Sequence, residues 1–518
     1  MAFGALLSGS RLPAASPPPA PVLAASASRP AGPPNVVYLL VDTLRADRLG
    51  AYGNPRATSP SLDRLAARGS LFQLAIAQAC VTVVSVSSIF TSMYPLSNGV
   101  MDPSHGLEDG PATLAEIFTA NGYATAAFTA GGHLSPAFGL GRGFQTYKSM
   151  TYPGSFRITV PQAIEWLGRQ AASPFFLFIH GYDVHSPYRV PLGYRELFDP
   201  GYRGEVDRLS FNFPTFIHHI TDDSFDECGK GMLPGAVCNA CDVGSLRRQV
   251  LPPPAPFPAG LPQIRSGTAE GVQLPIGPAG LSYRLPALER RLSPEDAAHI
   301  VSHYDGALAY SDLWLGLFLE ELDRRGLSGN TVVVVSGDHG ESLGEHGRYD
   351  HGYHLFDVNV HVPLIMAGPG VPAGQRVTGP VELLDVGPTL LELCGIVQPR
   401  GHQGRSLTAE MRAAQDGAPL PPRDAFSVIG NVASLRTPRW HYLRKQQGTA
   451  DQAHLSELYD LQDDPGETVS VLSRFPAEAA ALEGRLLDRI EAAVPKVRPR
   501  TTSLRPEDRA FLRTFGYW

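Results

Sequence analysis

Two acidic residues follow apolar runs that have the composition of buried strands. Thr331–Val335 is a run of five β-branched residues, followed after Ser-Gly by Asp338 and His339, and Val36–Val41 is followed directly by Asp42. Such runs suit strands covered on both faces in a parallel sheet, whose carboxyl ends are where ligands bind. An aspartate beside a histidine offers oxygen and nitrogen ligands, a mixture typical of zinc or manganese sites. One such pair alone would indicate a polar loop, but the second strand with the same ending favours a metal site.

The elements that must position these residues are strands alternating with helices. Phe175–Ile179 and HVPLIMAGPG are further strand-like runs, and amphipathic helices are predicted from near Ser61, over SPEDAAHIVSHYDGALAYSDLWLGLFLEELDRRG and over VELLDVGPTLLELCGI. After about residue 421, FSVIGNVASLRTPRWHYLRK and SELYDL predict a hairpin-like sheet, and PAEAAALEGRLLDRIEAAV predicts a final helix. The sequence therefore predicts an α/β fold: a large mixed, mostly parallel sheet sandwiched by helices, with a small antiparallel C-terminal subdomain.

The chain of 518 residues is long enough for one large domain and a smaller one. Residues 1–34 are rich in Ala, Pro and Ser and predict a disordered leader or linker. A catalytic domain is predicted over 35–420, with a Pro/Gly-rich insertion at about 201–292, and a C-terminal subdomain over 421–518. The leader resembles a damaged secretory signal, which slightly favours a periplasmic or secreted location over a cytoplasmic one, although a Pro/Ala linker explains it about as well.

Charge and hydropathy exclude some classes of partner. The formal net charge of −7 gives no reason to expect nucleic acid, and no apolar run approaches the ~20 residues of a transmembrane anchor. Cys228, Cys238 and Cys241 cluster in the insertion, where a disulfide with one thiol left over is favoured and a structural zinc site stays open. Cys80 and Cys394 are predicted to be buried small hydrophobes. Nothing in the sequence predicts an oligomeric state.

One pair of tracts carries a specific family resemblance. VDTLRADRLGAYG (41–53) together with TSPSLDRLAARGSLF (58–72) resembles the sulfatase family of the alkaline phosphatase superfamily. The resemblance runs from Asn35 to about Gly395 and resumes at ELYDLQDDPGE (457–467). It implies an alkaline-phosphatase-like fold, hydrolysis of anionic esters and a metal ligand at Asp42. That family also contains phosphonate monoester hydrolases and is related to phosphoethanolamine and lipoteichoic-acid transferases. Thr43 stands where many sulfatases have a second aspartate, which suggests a site with fewer carboxylates.

The resemblance also locates the nucleophile. AQACVTVVSVSSIFTSMYPLSNGV (77–100) matches the nucleophile segment of sulfatases and places Thr82 at the reacting position. Sulfatases carry there a cysteine or serine of a C/S-x-P-x-R sequence that is oxidised to formylglycine, whereas here Val84 and Val86 replace the proline and the arginine. We therefore expect no formylglycine. A threonine hydroxyl activated by a metal remains chemically workable, and the related transferases use one. The alternative is that Val81–Val84 is a β-branched core strand and Thr82 is incidental.

Substrate contacts follow from the same resemblance. Asp183-Val184-His185-Ser186-Pro187-Tyr188 matches a D-x-H-x-P-Y motif, in which His185 contacts the anionic group or donates a proton to the leaving oxygen, and Asp183 is taken as a substrate-binding residue. Gly131-Gly132-His133 stands where many sulfatases have a sulfate-binding lysine, and His133 could partly replace that charge. The tract around Asp338 resembles SDHGESLGENG of the transferases, which assigns to His351 a role in substrate binding or at a second metal. Glu341 and His346 are predicted to support the site from behind, whereas His180, His354 and His361 are predicted to be structural.

These observations predict a hydrolase acting on ester bonds. Asp42, Thr82, Asp338 and His339 are predicted to hold about one divalent ion per chain, Mn²⁺ or Zn²⁺ ahead of Ca²⁺ because His339 contributes nitrogen. Thr82 would attack a sulfate, phosphate or phosphonate ester of a small molecule or glycan, with the phosphoester favoured. The alternatives are an arylsulfatase-like sulfuric ester hydrolase, a catalytically inactive member that binds anionic glycans, and a membrane-lipid transferase, which the absence of a predicted membrane anchor weakens.

Overall fold

The computed structural model describes residues 32–107, 110–150, 154–170, 173–186, 188, 190–204, 206, 293–420, 422–445, 455–493 and 500–501. The cysteine cluster at Cys228, Cys238 and Cys241 and nearly all of the predicted insertion lie outside the described residues, as does nearly all of the predicted leader.

The strands, numbered in chain order, are β1 Asn35–Val41, β2 Ser70–Ile76, β3 His105–Gly106, β4 Ala124–Thr129, β5 Thr146–Ser149, β6 Phe175–Gly181, β7 Thr331–Gly337, β8 Ser342–Leu343, β9 Tyr349–Asp350, β10 His361–Ala367, β11 Gln375–Glu382, β12 Ala425–Ile429, β13 Val432–Arg436, β14 Trp440–Lys445, β15 Leu455–Asp460 and β16 Arg500–Thr501. The α-helices are α1 Pro60–Ala67, α2 Thr82–Thr91, α3 Pro95–Asn98, α4 Leu114–Ala120, α5 Phe156–Leu167, α6 Leu192–Arg195, α7 Pro294–Arg324, α8 Asp357–Val360, α9 Val386–Leu393, α10 Thr408–Asp416 and α11 Pro476–Ala492.

Three of the apolar runs predicted from the sequence are adjacent strands of the main sheet. Within the described residues this sheet has eight strands in the order β11-β2-β10-β7-β1-β6-β4-β5. β1 pairs in parallel with both β6 and β7, so that Val41 lies opposite Gly181 on one side and Gly337 on the other. Because the three strands are parallel and in step, the residues that follow them lie together at one edge of the sheet. β10 is antiparallel to both of its neighbours, which confirms a mixed, mostly parallel sheet.

Both faces of the main sheet are covered, as its β-branched composition predicts. Tyr38 and Phe178 face a layer that contains α2, α4 and α9, while Leu39 and Ile179 face a layer that contains α1, α5 and α7. The predicted helix near Ser61 is α1, and the predicted long helix is α7. α7 begins with a capping box in which the Ser293 side chain and the third residue of the helix exchange hydrogen bonds.

The C-terminal sheet is antiparallel, with the order β12-β13-β14-β15 among the described residues, and α11 packs on it. This confirms the predicted hairpin-like sheet and final helix. Ala425, Val432 and Tyr459 share a buried apolar cluster with strands of the main sheet, and one compact unit covers Gly32–Trp518. The domain boundary predicted at 420/421 stays a prediction.

One predicted element begins later than expected. The helix predicted over VELLDVGPTLLELCGI starts only at Val386, because its first two residues end strand β11 and Leu383–Asp385 form a 3₁₀ turn. β11 pairs in parallel with β2 at the edge of the sheet, and this pairing takes precedence over local helical periodicity.

None of the helices in the described part of the chain is long and apolar enough to cross a membrane.

Candidate active site

The carboxyl ends of β1 and β7 bring together the metal ligands predicted from the sequence. Asp42 follows Val41 directly, and Asp338 and His339 follow Gly337 directly, so the parallel register places the three residues side by side. All three are fully buried, and each offers a ligand atom within 4.8 Å of the others. The arrangement therefore agrees with the prediction that two strands ending in aspartate form one site.

Two carboxylate oxygens in this cluster are buried without a hydrogen-bond partner among the described residues: Oδ1 of Asp42 and Oδ2 of Asp338. The other oxygen of Asp338 accepts the backbone N–H groups of Thr43 (3.1 Å) and His339 (2.9 Å). Burial, and next the neighbouring Asp338 carboxylate, raise the pKa of Asp42 well above its usual value. Buried, adjacent carboxylates of this kind are expected to be paired or to coordinate a metal, so the residues present fit a divalent cation.

Thr43 does not extend this cluster. Its hydroxyl oxygen lies 2.9 Å from the carbonyl oxygen of Val184 and 2.8 Å from that of Asp42, and its φ of 54° is in the left-handed region. Such a conformation is unusual for a β-branched residue and is found at functional sites held by their surroundings. The threonine therefore joins the segment after β1 to the segment after β6.

Thr82 is the first residue of α2, not part of a core strand, so the alternative strand interpretation of Val81–Val84 is wrong. Its hydroxyl oxygen lies 3.4 Å from Oδ2 of Asp42 and 3.3 Å from Nε2 of His339. All ten residues of α2 are buried, which explains why β-branched residues with poor helix propensity form a helix here. A helix N-terminus presents free backbone N–H groups, which favour an anionic group beside Thr82.

Three histidines with predicted substrate roles lie near the candidate metal ligands. The ring of His351 is 4.4 Å from that of His339 and 4.8 Å from that of His185, measured between centroids. Burial, together with the nearby His351 and His339 rings, lowers the pKa of His133 to about 3. Burial also lowers the pKa of His185 and His351. Burial therefore favours the neutral forms of these imidazoles.

Asp183 is oriented toward a helix. One of its carboxylate oxygens accepts the Ser155 hydroxyl, and the other accepts the backbone N–H of Phe156 at 2.9 Å, at the start of α5. Burial raises the pKa of Asp183 to about 6. These contacts support a role in holding α5 against the segment after β6, whereas the predicted substrate contact of Asp183 stays a prediction.

Two residues of the site were missed by the sequence reasoning. His180, predicted to be structural, lies 3.0 Å through Nε2 from Oδ2 of Asp42, because the register of β6 against β1 places it opposite Leu40. The ring of Tyr182 makes T-shaped contacts with the rings of His180 and His185, and its hydroxyl oxygen accepts the backbone N–H of His133 at 3.3 Å. Burial and the carboxylates of Asp42 and Asp338 raise the pKa of Tyr182 well above its usual value. The sequence of β6, FFLFIHG, carries no alternation that would single out His180, so this contact could be found only from the strand register.

His346 and His361 contact residues outside the cluster of Asp42, Asp338 and His339. His346 stacks on Phe356 at 3.8 Å, and Nε2 of His361 donates to the carbonyl of Gln73 at 2.9 Å.

Cys80 and Cys394 are buried, as predicted, and both thiols are free.

The profile of the sulfatase family matches residues 34–396, which include every site residue described above. The chain belongs to the sulfatase family. It is accordingly a hydrolase acting on ester bonds. It is 25% identical over 515 residues to a sulfatase of Formosa agariphila, an alignment that covers 89% of this chain and 86% of that protein. An ulvan-active sulfatase of the same organism is 26% identical and covers 85% of this chain and 77% of its own. Human arylsulfatase K is 31% identical over 206 residues, 38% of each chain.

Solved structures show the same fold. A protein in complex with its substrate D-glucosamine-2-N,6-O-disulfate superposes with a TM-score of 0.64 at 17% identity and covers 89% of this chain and 98% of its own. The phosphonate monoester hydrolase of Agrobacterium radiobacter superposes with a TM-score of 0.62 at 20% identity, with 89% and 95% of the two chains covered. At these identities the likeness concerns the fold, which is that of alkaline-phosphatase-like sulfatases.

Proposed function

We propose that this chain hydrolyses anionic esters by in-line attack of Thr82, with phosphate or phosphonate esters preferred over sulfate esters. The observation that carries the proposal is the position of Thr82: its hydroxyl lies at the N-terminus of a buried helix, within 3.4 Å of both Asp42 and His339. A hydroxyl placed between candidate metal ligands and free backbone N–H groups suits attack on a tetrahedral anion.

The residues take the following roles in this proposal. Asp42, Asp338 and His339, together with Thr82, would hold a divalent cation, which would supply positive charge for the transferred group and lower the pKa of the Thr82 hydroxyl. His180 holds the Asp42 carboxylate through a bond of 3.0 Å. His185 and His351 would contact the substrate. The nitrogen ligand from His339 favours Mn²⁺ or Zn²⁺ over Ca²⁺, with about one ion per chain.

The preference for phosphoesters follows from the chemistry of the threonine side chain. The hydrate of formylglycine can expel sulfate by breaking its own C–O bond, because a second hydroxyl stands on the same carbon. The Cβ of threonine has one hydroxyl, so a sulfated Thr82 could be released only by attack of water at sulfur. A phosphorylated Thr82 can be hydrolysed by a second in-line attack at phosphorus, in which water forms the new P–O bond and the electron pair returns to the threonine oxygen.

Matched aryl phosphate, phosphonate and sulfate esters test the proposal. Wild-type protein should turn over the phosphorus esters faster than the sulfate ester. Thr82→Ser should keep part of the activity, Thr82→Ala should lose it by ~10³-fold or more, and Thr82→Cys should show no formylglycine by mass spectrometry of its peptide. A sulfate ester as the preferred substrate, or near wild-type turnover by Thr82→Ala, would contradict the proposal.

Thr91→Ala is a matched control at the other end of the same helix. The Thr91 hydroxyl is also buried and donates to the carbonyl of Ser87 at 2.6 Å, within the helix. Its loss should affect thermal stability while the activity of the folded protein is kept, which separates chemistry at Thr82 from damage to α2.

A sulfated glycan is the second candidate substrate. The relatives named above include an ulvan-active sulfatase, and one structural neighbour holds a disulfated glucosamine as its substrate. If this class is the natural one, the same set of esters should rank sulfate first, and sulfated oligosaccharides should release inorganic sulfate. Binding of such glycans without release, in protein loaded with a divalent ion, would indicate an inactive binding member of the family.

A further inference from the structure

A buried tyrosine hydroxyl lies beside the proposed nucleophile. Oη of Tyr182 accepts the backbone N–H of His133 at 3.3 Å. The side chain of Thr82 is a hydrogen-bonding neighbour of the same hydroxyl, and the carboxylates of Asp42 and Asp338 are close enough to act on it through their charge. The hydroxyl of Tyr182 therefore belongs to the surroundings in which an ester attacked by Thr82 would lie.

The ring of Tyr182 is held in place by its neighbours. Its centroid lies 4.8 Å from that of His180 and 5.2 Å from that of His185, and both contacts are T-shaped. The backbone N–H of Tyr182 donates to the carbonyl of Gly154 at 3.0 Å, and its carbonyl accepts the backbone N–H of His185 at 3.0 Å. The residue is 7% exposed. The hydroxyl is thus fixed at one place, as a group that stabilises a transition state must be.

The chain leaves room for this hydroxyl at Gly132. The φ of Gly132 is 62°, in the left-handed region, and a Cβ atom at this position would lie 2.4 Å from Oη of Tyr182 and 2.9 Å from Cζ. Contacts this short require one of the two groups to move. Glycine therefore serves both the backbone conformation and the close approach of the phenol.

The hydroxyl of Tyr182 keeps a hydrogen that it can donate. A hydroxyl group can accept and donate at once, so the bond from the N–H of His133 leaves its own hydrogen available. A phenol with the ordinary pKa of about 10 is protonated at neutral pH. Burial, and next the carboxylates of Asp42 and Asp338, raise the pKa of Tyr182 further above this range.

We propose that Tyr182 is a catalytic residue whose hydroxyl donates to a non-bridging oxygen of the group that is transferred to Thr82. The oxygen of Thr82 forms its bond to phosphorus or sulfur while the bond to the leaving oxygen breaks, and the non-bridging oxygens hold negative charge throughout. Tyr182 stabilises this charge by a hydrogen bond and keeps its own hydrogen, so it takes part in no proton transfer. This inference rests on the proposed function and adds a residue that contacts the transferred group itself.

Tyr182→Phe tests this role because it removes one hydroxyl and keeps the ring. The value of kcat should fall ~10²–10³-fold, as expected when one donor to a charged transition-state oxygen is removed. The phenyl and para-nitrophenyl esters of one phosphonate should lose the same factor, because the non-bridging oxygens belong to the transferred group. An unchanged kcat would overturn the proposal, and so would a larger loss for the phenyl ester, which would assign the hydroxyl to the leaving oxygen.

Inhibition by vanadate gives a second readout. Vanadate adopts the five-coordinate geometry of in-line attack, and its equatorial oxygens take the places of the non-bridging oxygens. Its inhibition constant should rise in Tyr182→Phe, and an unchanged constant would overturn the proposal. The variant should also hold as much divalent metal as wild type. A loss of metal would show that the tyrosine acts through His180 on Asp42, and would overturn the proposed contact with the substrate.

Tyr52→Phe is the matched control. The hydroxyl of Tyr52 donates to the carbonyl of Phe72 at 2.8 Å and accepts the backbone N–H of Leu364 at 2.9 Å, between strands β2 and β10. Its loss should lower the stability measured by urea unfolding and leave kcat and the inhibition constant of vanadate unchanged. A fall in kcat as large as that of Tyr182→Phe would overturn the specific role of Tyr182.

Gly132→Ala tests the same contact from the opposite side. Its methyl group displaces the hydroxyl of Tyr182 without removing a polar atom, so kcat should fall. The further loss in the Tyr182→Phe background should be smaller, because the displaced hydroxyl is already absent there. Equal losses in both backgrounds would overturn the proposal. If Tyr182→Phe does not fold, Gly132→Ala alone decides: reduced kcat with the metal content of wild type supports the proposal, and unchanged kcat overturns it.

The wild-type protein separates this proposal from the proposed function. Wild type that turns over none of the esters would refute the proposed function itself. Active wild type together with an equally active Tyr182→Phe would refute only the role of Tyr182.

Discussion

Replacing Asp338 by asparagine should stabilise the metal-free protein and should reduce the stability that the protein gains from a bound metal ion. The Asn oxygen can still accept the two backbone N–H groups, of Thr43 and His339, that Oδ1 of Asp338 accepts now. Its amide nitrogen would take the place of Oδ2, the oxygen that has no hydrogen-bond partner among the described residues. The substitution therefore removes one negative charge beside Asp42 while the local hydrogen bonds are kept.

The size of the expected stabilisation follows from the distance between the carboxylates of Asp42 and Asp338. Two unit charges within 4.8 Å of each other repel by about 3–4 kcal/mol at an effective dielectric constant of about 20. The pair can avoid this repulsion by taking up a proton. Keeping a carboxyl protonated at pH 7 when its unfolded pKa is about 3.9 costs about 4 kcal/mol. Both routes therefore lead us to expect that Asp338→Asn stabilises the metal-free protein by about 2–4 kcal/mol.

The raised pKa of Asp42 sets how the stability of the metal-free protein depends on pH. Burial, and next the Asp338 carboxylate, raise the pKa of Asp42 in the folded protein. The contribution of Asp42 to the stability of the metal-free protein is therefore fully present below its unfolded pKa. This contribution is lost as the pH rises through its folded pKa. In Asp338→Asn this loss should be smaller. Metal binding has the opposite sign, since it requires ionised carboxylates.

Urea unfolding of wild type and Asp338→Asn, with EDTA and with saturating Mn²⁺ or Zn²⁺, measures both effects. In EDTA the variant should be the more stable protein, and with metal the wild type should gain about 2.7 kcal/mol at a metal concentration of 100 Kd while the variant gains less. Asp312→Asn is the control: Asp312 is also buried, but it accepts N–H groups at the start of α1, so its loss should destabilise with and without metal. A variant less stable than wild type in EDTA, or equal gains from metal, would refute the reasoning.

Two further substitutions test interactions away from the site. Asp305 is fully buried and accepts hydrogen bonds from Arg48 and Arg56, so Asp305→Ala should destabilise by about 3 kcal/mol in urea unfolding, and a loss under 1 kcal/mol would contradict this assignment. Burial alone would raise the pKa of Asp357, but the Arg436 guanidinium and His441 outweigh it and hold that pKa well below its usual value. Its contribution to stability is therefore present above the unfolded pKa of about 3.9 and lost as pH falls, so the difference in unfolding free energy between wild type and Asp357→Asn should shrink from pH 6 to pH 3. A constant difference over that range would show that Asp357 acts without its charge.

The sequence by itself determined the strands at the centre of the main sheet and the acidic residues that follow them. The runs before Asp42 and Asp338 are composed of residues that form buried strands, and parallel strands must present their carboxyl ends at one edge. Composition and order therefore predicted the buried parallel strands, the two strand ends that carry Asp42 and Asp338, and the hairpin-like sheet near the C-terminus, and the family resemblance assigned Asp42 as a metal ligand. The tracts VDTLRADRLGAYG (41–53) and TSPSLDRLAARGSLF (58–72) predicted the family, since their residue types and spacing are specific over a long stretch.

Only the tertiary structure decided how the other side chains are used. His180 reaches Asp42 because β6 lies beside β1 in one register, and a shift of one residue would turn its side chain to the other face of the sheet. Asp183 turns toward α5, and Thr82 begins a helix whose β-branched residues alone would favour a strand, because burial on all sides outweighs local propensity. Glu341 meets His351 through a loop whose shape depends on Arg45, almost 300 residues earlier in the chain. Contacts between residues so distant in sequence depend on packing and register, which local residue patterns do not specify.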